Sequence, residues 1–175
     1  ERAAGFPYFI DLDLTNAFYQ IVLSKATSEV LSVTTPWGLK RPVLLPEGVA
    51  PASGVLQRMV MALFEDFSDW MVRLFDNVLV LCHDSNDGIA KLRKVIERCR
   101  ERGVVLKFAK SWIGFQQVKF FGYKVTPEKY ELDEDRKATI RDADMPKSRK
   151  SMQRFLGMAV FFNEFIPNFS DVTAQ

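Results

Sequence analysis

Three acidic side chains interrupt otherwise apolar runs of this 175-residue chain. "YFIDLDL" carries Asp11 and Asp13, and "LFDNVLVL" carries Asp76 followed by the amide Asn77. Strand-embedded carboxylates are costly unless they are solvated, paired or bound to a cation. Hard divalent ions such as Mg²⁺ take oxygen ligands. Two-metal sites draw carboxylates from separate strands to activate an attacking oxygen and stabilise a leaving one. On spacing alone a plainer reading stands beside that one, in which Asp13 opens a helix as a cap and Asp76 with Asn77 makes a turn.

The elements that would carry these groups follow from hydrophobic period. "YFIDLDL" alternates apolar residues with acids after Pro7, a strand pattern that puts Asp11 and Asp13 on one face. Residues 70–82, "WMVRLFDNVLVLC", are β-branched and aromatic on both sides of Asp76 and Asn77, which predicts two strands meeting at a tight turn there. Between these runs, residues 16–22 suit a short helix. Residues 30–45 read as a hairpin around Pro36, Trp37 and Gly38, and residues 55–67 repeat apolar side chains at helical spacing. Residues 84–103 have capping residues, a stripe of Ile89, Leu92, Val95, Ile96 and Cys99, and a closing Gly103, which predicts a helix. Residues 118–125 and 130–132 suggest a second hairpin around Pro127, Glu128 and Lys129. "DEDRKATIRDA" opens a helix with acids in its first turn, as the helix dipole favours. A last helix is expected over 148–165, ended by Pro167. This order is α+β rather than regular βαβ winding.

A composition of 47% hydrophobic and 13% aromatic residues is enough for a real core. The formal charge of +2 is too mild to prove a nucleic-acid partner, so its distribution matters more. Residues 91–119 hold nine Lys or Arg against Glu97 and Glu101, whereas residues 65–87 hold six acids against one Arg. The basic helix over 91–102 reads either as a contact for nucleic-acid phosphates or as a solvated face. Cys82 and Cys99 lie apart with no paired metal spacing, which suits buried thiols of an intracellular protein. His83, the one histidine, is assigned no role. No apolar stretch approaches the roughly 20 residues of a membrane span, and no signal-peptide pattern opens the chain, so no membrane association is expected. A start without Met and an end inside a pattern suggest a piece of something longer.

Six short motifs, in order, carry a resemblance. Asp13-Leu14-Thr15-Asn16-Ala17-Phe18-Tyr19-Gln20 is the first, and Leu45-Pro46-Glu47-Gly48, followed by Gln57-Arg58 on a helix, is the second. Leu74-Phe75-Asp76-Asn77 falls where a Tyr-x-Asp-Asp turn would stand, and Leu106-Lys107-Phe108-Ala109-Lys110 follows the basic helix. Phe120-Phe121-Gly122 comes next. The tail, Phe155-Leu156-Gly157 with Phe165-Ile166-Pro167-Asn168-Phe169-Ser170, completes the set. In this the chain resembles the palm region of reverse transcriptases of gypsy-type LTR retrotransposons.

The resemblance implies a right-hand polymerase palm, an antiparallel sheet carrying the acids and backed by helices. It implies residues 1–145 as palm with part of the fingers and residues 146–175 as a helical palm-to-thumb connection, cut from a polyprotein. Asp13 and Asp76 would bind Mg²⁺, with Mn²⁺ as a substitute, and Asn77 would complete the catalytic set. Phe18, Gln20, Glu47, Gly48 and Gln57 would meet the substrate. Phe18 would lie under the sugar to exclude a 2′-hydroxyl, and Gly48 would allow close backbone approach. Phe121 and Gly122 would hold the primer end, and Lys107 and Lys110 the nucleic acid. An RNA or DNA template-primer and deoxynucleoside triphosphates are the implied partners. The match departs where Asn77 replaces an acid, Leu74 replaces Tyr, and Glu47 stands in place of Phe or Gln. Upstream fingers and a full thumb are expected to lie outside the chain. Two further readings stay open: a catalytically degenerate domain that binds a protein partner or serves as a scaffold, and a nucleic-acid binder without turnover.

Overall fold

The computed structural model describes residue 3 and residues 5–173. Its elements run in the order β1 (Tyr8–Asp13), α1 (Lys25–Val30), β2 (Val33–Thr35), β3 (Gly38–Lys40), α2 (Ala52–Leu63), β4 (Met71–Leu74), β5 (Asn77–Cys82) and α3 (Ser85–Arg102). They continue with β6 (Trp112–Phe115), β7 (Val118–Phe120), β8 (Tyr123–Val125), β9 (Tyr130–Leu132), α4 (Glu134–Arg141), α5 (Arg149–Ala159) and α6 (Phe169–Thr173). Two compact units result, Glu1–Phe120 with Val125–Tyr130, and Phe121–Lys124 with Glu131–Gln175.

The first unit is built on a four-stranded sheet in the order β4-β5-β1-β6. β1 lies antiparallel between β5 and β6, with a register shift against β6 between Phe9 and Ile10. Alternation along β1 sends Ile10, Leu12 and Leu14 to one face. There they join Val78, Val80 and Cys82 of β5, Leu56, Val60 and Leu63 of α2, and Val95 and Cys99 of α3 in one buried cluster. The expected antiparallel sheet backed by helices is what the chain forms. Asp84 caps α3 by accepting from the Asp87 N–H, and Gly103 ends it in the left-handed region at φ +68°. Arg73 closes α2, donating to the carbonyls of Met61 at 3.0 Å and Phe64 at 2.7 Å. Cys82 and Cys99 are free and buried, as expected.

Local readings needed correction where tertiary contacts outweigh propensity. The turn between β4 and β5 consists of Phe75 and Asp76, because Asn77 already pairs with Leu74 across the ladder. Residues 16–22 give only a 3₁₀ turn at Ala17–Gln20. The helix expected over 55–67 starts at Ala52, stops at Leu63 and continues as a 3₁₀ turn at Glu65–Phe67. Ile89, placed in the apolar stripe of α3, is 60% exposed, and the stripe buries through Val95 and Cys99. The strand expected over 118–125 is broken at Phe121 and Gly122, which both adopt positive φ. α1, β6 and α6 are too short for hydrophobic period to predict them.

In the second unit, a Ser148–Ser151 capping box starts α5. The helix expected over 148–165 ends at Ala159 and tightens into a 3₁₀ segment, Val160–Phe165. Tyr123 packs there against Phe161 and Phe165, at ring-centre distances of 5.6 and 6.2 Å.

Candidate catalytic site

Strand register brings the acids together. Asp13, the last residue of β1, faces Asn77, the first residue of β5, and Asp76 is the adjoining turn residue. The Leu14 N–H donates to the Asp76 carbonyl at 2.9 Å, tying the end of β1 to that turn. From the other side the Lys107 N–H donates to the Asp13 carbonyl at 2.7 Å, and the Thr15 N–H donates to the Val105 carbonyl at 3.0 Å. Asp13 is thus held between the turn that carries Asp76 and the segment that carries Lys107 and Lys110.

The electrostatics follow this layout. Burial raises the Asp13 pKa, and the neighbouring Asp76 carboxylate adds to the rise, while Lys110 and Lys107 pull it back down. Asp11, opposite Leu79 and Trp112, is pushed up to about 6 by burial and then by Asp13. Its Oδ1 is buried with no hydrogen-bond partner. The Asn77 amide donates weakly to Asp76 Oδ1, at 3.4 Å.

A carboxylate whose ionisation is hindered by burial and by a neighbouring acid, as at Asp13, is the pattern a divalent cation relieves. The donors are all oxygens, two carboxylates and the Asn77 amide oxygen, which fits Mg²⁺ or Mn²⁺. Among the described residues no group of three or more His, Cys, Asp or Glu side chains gathers to hold a metal. The protein would supply two carboxylates and leave other positions to water and a phosphate-bearing substrate, the usual habit of Mg²⁺. Asp13 and Asp76 therefore fit the implied metal.

The turn is itself supported. Phe75 sits at φ +52°, an unfavourable region for a bulky residue. Its N–H donates to Gln57 Oε1 at 2.7 Å, and Gln57 Nε2 donates to the Arg73 carbonyl at 3.3 Å. Gln57 thus commits its amide to the backbone on both sides of Leu74. Gln20 behaves likewise, donating to the carbonyls of Thr15 and Val105 and accepting from the Val105 N–H at 2.8 Å. It clamps the segment after β1 to the segment that leads from Val105 into Lys107. Both glutamines were expected at the substrate. Their positioning work could have been suspected from single amides set among apolar neighbours, which need backbone partners once half-buried.

Phe18 is half-buried against the core cluster. Glu47 and Gly48 lie exposed in the loop after Leu45. Gly48 has φ +83° and open space where a Cβ would stand, so the backbone conformation alone calls for glycine. Phe121 and Gly122 belong to the second unit.

Comparison with known proteins bears on the family and the fold. Residues 1–125 match the family model described as reverse transcriptase (RNA-dependent DNA polymerase). The chain belongs to the reverse transcriptase family. It is 28% identical over 166 residues to the retrovirus-related Pol polyprotein from transposon opus of Drosophila melanogaster, covering 94% of this chain and 17% of the relative. It is 24% identical over 173 residues to the transposon Tf2-7 polyprotein of Schizosaccharomyces pombe, covering 98% of this chain and 13% of the relative. The chain therefore spans less than a fifth of these polyproteins. Its fold matches a foamy viral protease-reverse transcriptase solved with double-stranded DNA, at a TM-score of 0.85 and 22% identity, over 97% of this chain and 30% of that one. A second foamy viral structure, solved with an RNA/DNA hybrid, matches at a TM-score of 0.82 and 22% identity, over 98% of this chain and 24% of that one. The expected reverse-transcriptase-like palm is thus the fold observed. No helix among the described residues is long and apolar enough to cross a membrane.

Proposed function

We propose that the chain is the palm of an RNA-directed DNA polymerase from a gypsy-type LTR retroelement, acting inside the cell by nucleotidyl transfer to a primer 3′-hydroxyl. In this reading residues 1–145 are palm with part of the fingers, and residues 146–175 lead towards the thumb. The observation that carries it is the opposition of Asp13 to the turn holding Asp76, with Lys107 and Lys110 near enough to act on the Asp13 charge. Free, buried Cys82 and Cys99 suit a reducing compartment.

Mg²⁺ or Mn²⁺, when bound, would supply the positive charge that aligns and stabilises in-line attack on the α-phosphate of a deoxynucleoside triphosphate. Asp13 and Asp76 hold that charge in place, and Asn77 contributes a neutral oxygen. Gln57 and Gln20 fix the two backbone segments from which the acids project. Phe18 bounds the sugar, and Gly48 and Glu47 border the incoming nucleotide. Glu47 there places a negative charge that a cation has to offset. Lys107 and Lys110 meet the phosphates of an RNA or DNA template-primer, and the turn of Phe121 and Gly122 holds the primer end.

Primer extension by the full-length protein tests this. Divalent-dependent extension that D13N and D76N each abolish, with the fold retained by circular dichroism, is the expected result. Extension unaffected by either substitution refutes it. One observation favours a second reading, a degenerate domain that serves as a protein-binding module: the Asn77 amide turned towards Asp76 takes the place of a metal-ligating charge. A wild type that extends no primer, is not rescued by N77D, and binds a protein assembly even as the D13A/D76A variant would establish that reading instead.

A further inference from the structure

We propose that Arg136 is a positioning residue for the turn of Phe121 and Gly122 and, through that turn, for the primer end; this rests on the reading above, in which the turn holds the primer. The two turn residues are consecutively left-handed, at φ +52° and +84°. Glycine tolerates this conformation, but Phe121 does so only under support from its surroundings. Arg136, in the first turn of α4, supplies such support. A Cβ on Gly122 would fall 2.8 Å from Arg136 Nε and 3.1 Å from its Cγ, so the arginine stem and the start of its guanidinium cover the open face of the glycine. The guanidinium carbon lies 5.2 Å from the centre of the Phe161 ring, within cation–π range. Gly122, Arg136 and Phe161 therefore form a three-layer stack. Two more contacts tie the same pieces together. The Asp133 N–H donates to the Gly122 carbonyl at 3.0 Å, and the Tyr123 ring packs on Phe161.

A planar guanidinium suits this place because it can lie flat on both a glycine backbone and an aromatic face, which the point charge of lysine does not do. Absence of a side chain at position 122 thus has two causes, the positive φ and the arginine beside it. The consequence is catalytic in kind, because reacting atoms misplaced by about 1 Å can lose on the order of 100-fold in rate.

Four full-length variants test the stack: R136A, R136K, G122A and G122A/R136A. R136A is expected to lower the extension rate at saturating nucleotide by about 10- to 100-fold while primer-template Kd changes by less than about 3-fold. R136K should recover part of that rate because its stem still covers Gly122. G122A should cost less in the R136A background than alone, since the clash with the arginine is gone. Amide hydrogen exchange at residues 121–124 should rise in R136A, a readout independent of turnover. Wild-type extension rates in R136A overturn the proposal. A loss that resides wholly in primer affinity, with a shallower salt dependence, also overturns it and marks a phosphate contact instead. A wild type that extends no primer refutes the polymerase reading, whereas unchanged exchange at 121–124 refutes the stack whatever the extension assay gives.

Discussion

Asp11 offers the most direct test of the electrostatics. Its Oδ1 is buried without a partner, and its pKa stands at about 6 against an ordinary value of 3.8, chiefly through burial and then through Asp13. A carboxyl whose pKa is raised on folding favours the folded state most when it is protonated in both states. Asp11 therefore leaves stability untouched below about pH 4, and lowers it progressively as pH rises through 6. About two pKa units correspond at face value to about 3 kcal/mol. Because the group keeps partial access to solvent, screening reduces this to about 1–2 kcal/mol. D11N removes the charge with little change of shape. In EDTA, the variant should match wild type near pH 4 and exceed it by about 1–2 kcal/mol near pH 7.5, equivalent to about 2–8 °C in Tm for a chain of this size. Urea denaturation followed by circular dichroism across this range measures the difference, in which titrating groups not coupled to Asp11 cancel and Asp13, its neighbour, adds in the same direction. A gap independent of pH, or a variant less stable than wild type at pH 7.5, refutes the assignment of an uncompensated charge to Asp11.

Other perturbations probe the neighbouring parts. Q57A removes the acceptor of the Phe75 N–H and a donor to Arg73, and should cost about 1–3 kcal/mol in chemical denaturation, with weaker thermal stabilisation by Mg²⁺. N77D brings a second acid next to Asp76. It should lower stability slightly in EDTA through like-charge repulsion and increase the Mg²⁺-induced rise in Tm over wild type. G88A adds a Cβ in ordinary contact with Cys82 Sγ at 3.5 Å and removes a helix-interior glycine, so it should stabilise by about 0.5–1 kcal/mol in the same denaturation assay.

The sequence alone determined the elements whose patterns are local and long. Alternation in Tyr8–Asp13, the strand pair around Asp76, and α3 from its Asp84 cap to Gly103 could all be read from period and capping chemistry. The acids could be singled out as well, because carboxylates in apolar strands demand a cause. Tertiary structure decided what depends on partners far along the chain. Pairing register, and not propensity, moved Asn77 from the turn into β5 opposite Asp13. The amides of Gln57 and Gln20 completed their backbone bonding when Phe75 and Val105, 18 and 85 positions away, came beside them. Gly122 fell inside an expected strand run, and both its turn conformation and the arginine lying on it appear only in the folded chain, where α4 packs against it. Period and caps act within a few residues, whereas a hydrogen bond or a stacked ring depends on distance in space, which pattern along the chain does not encode.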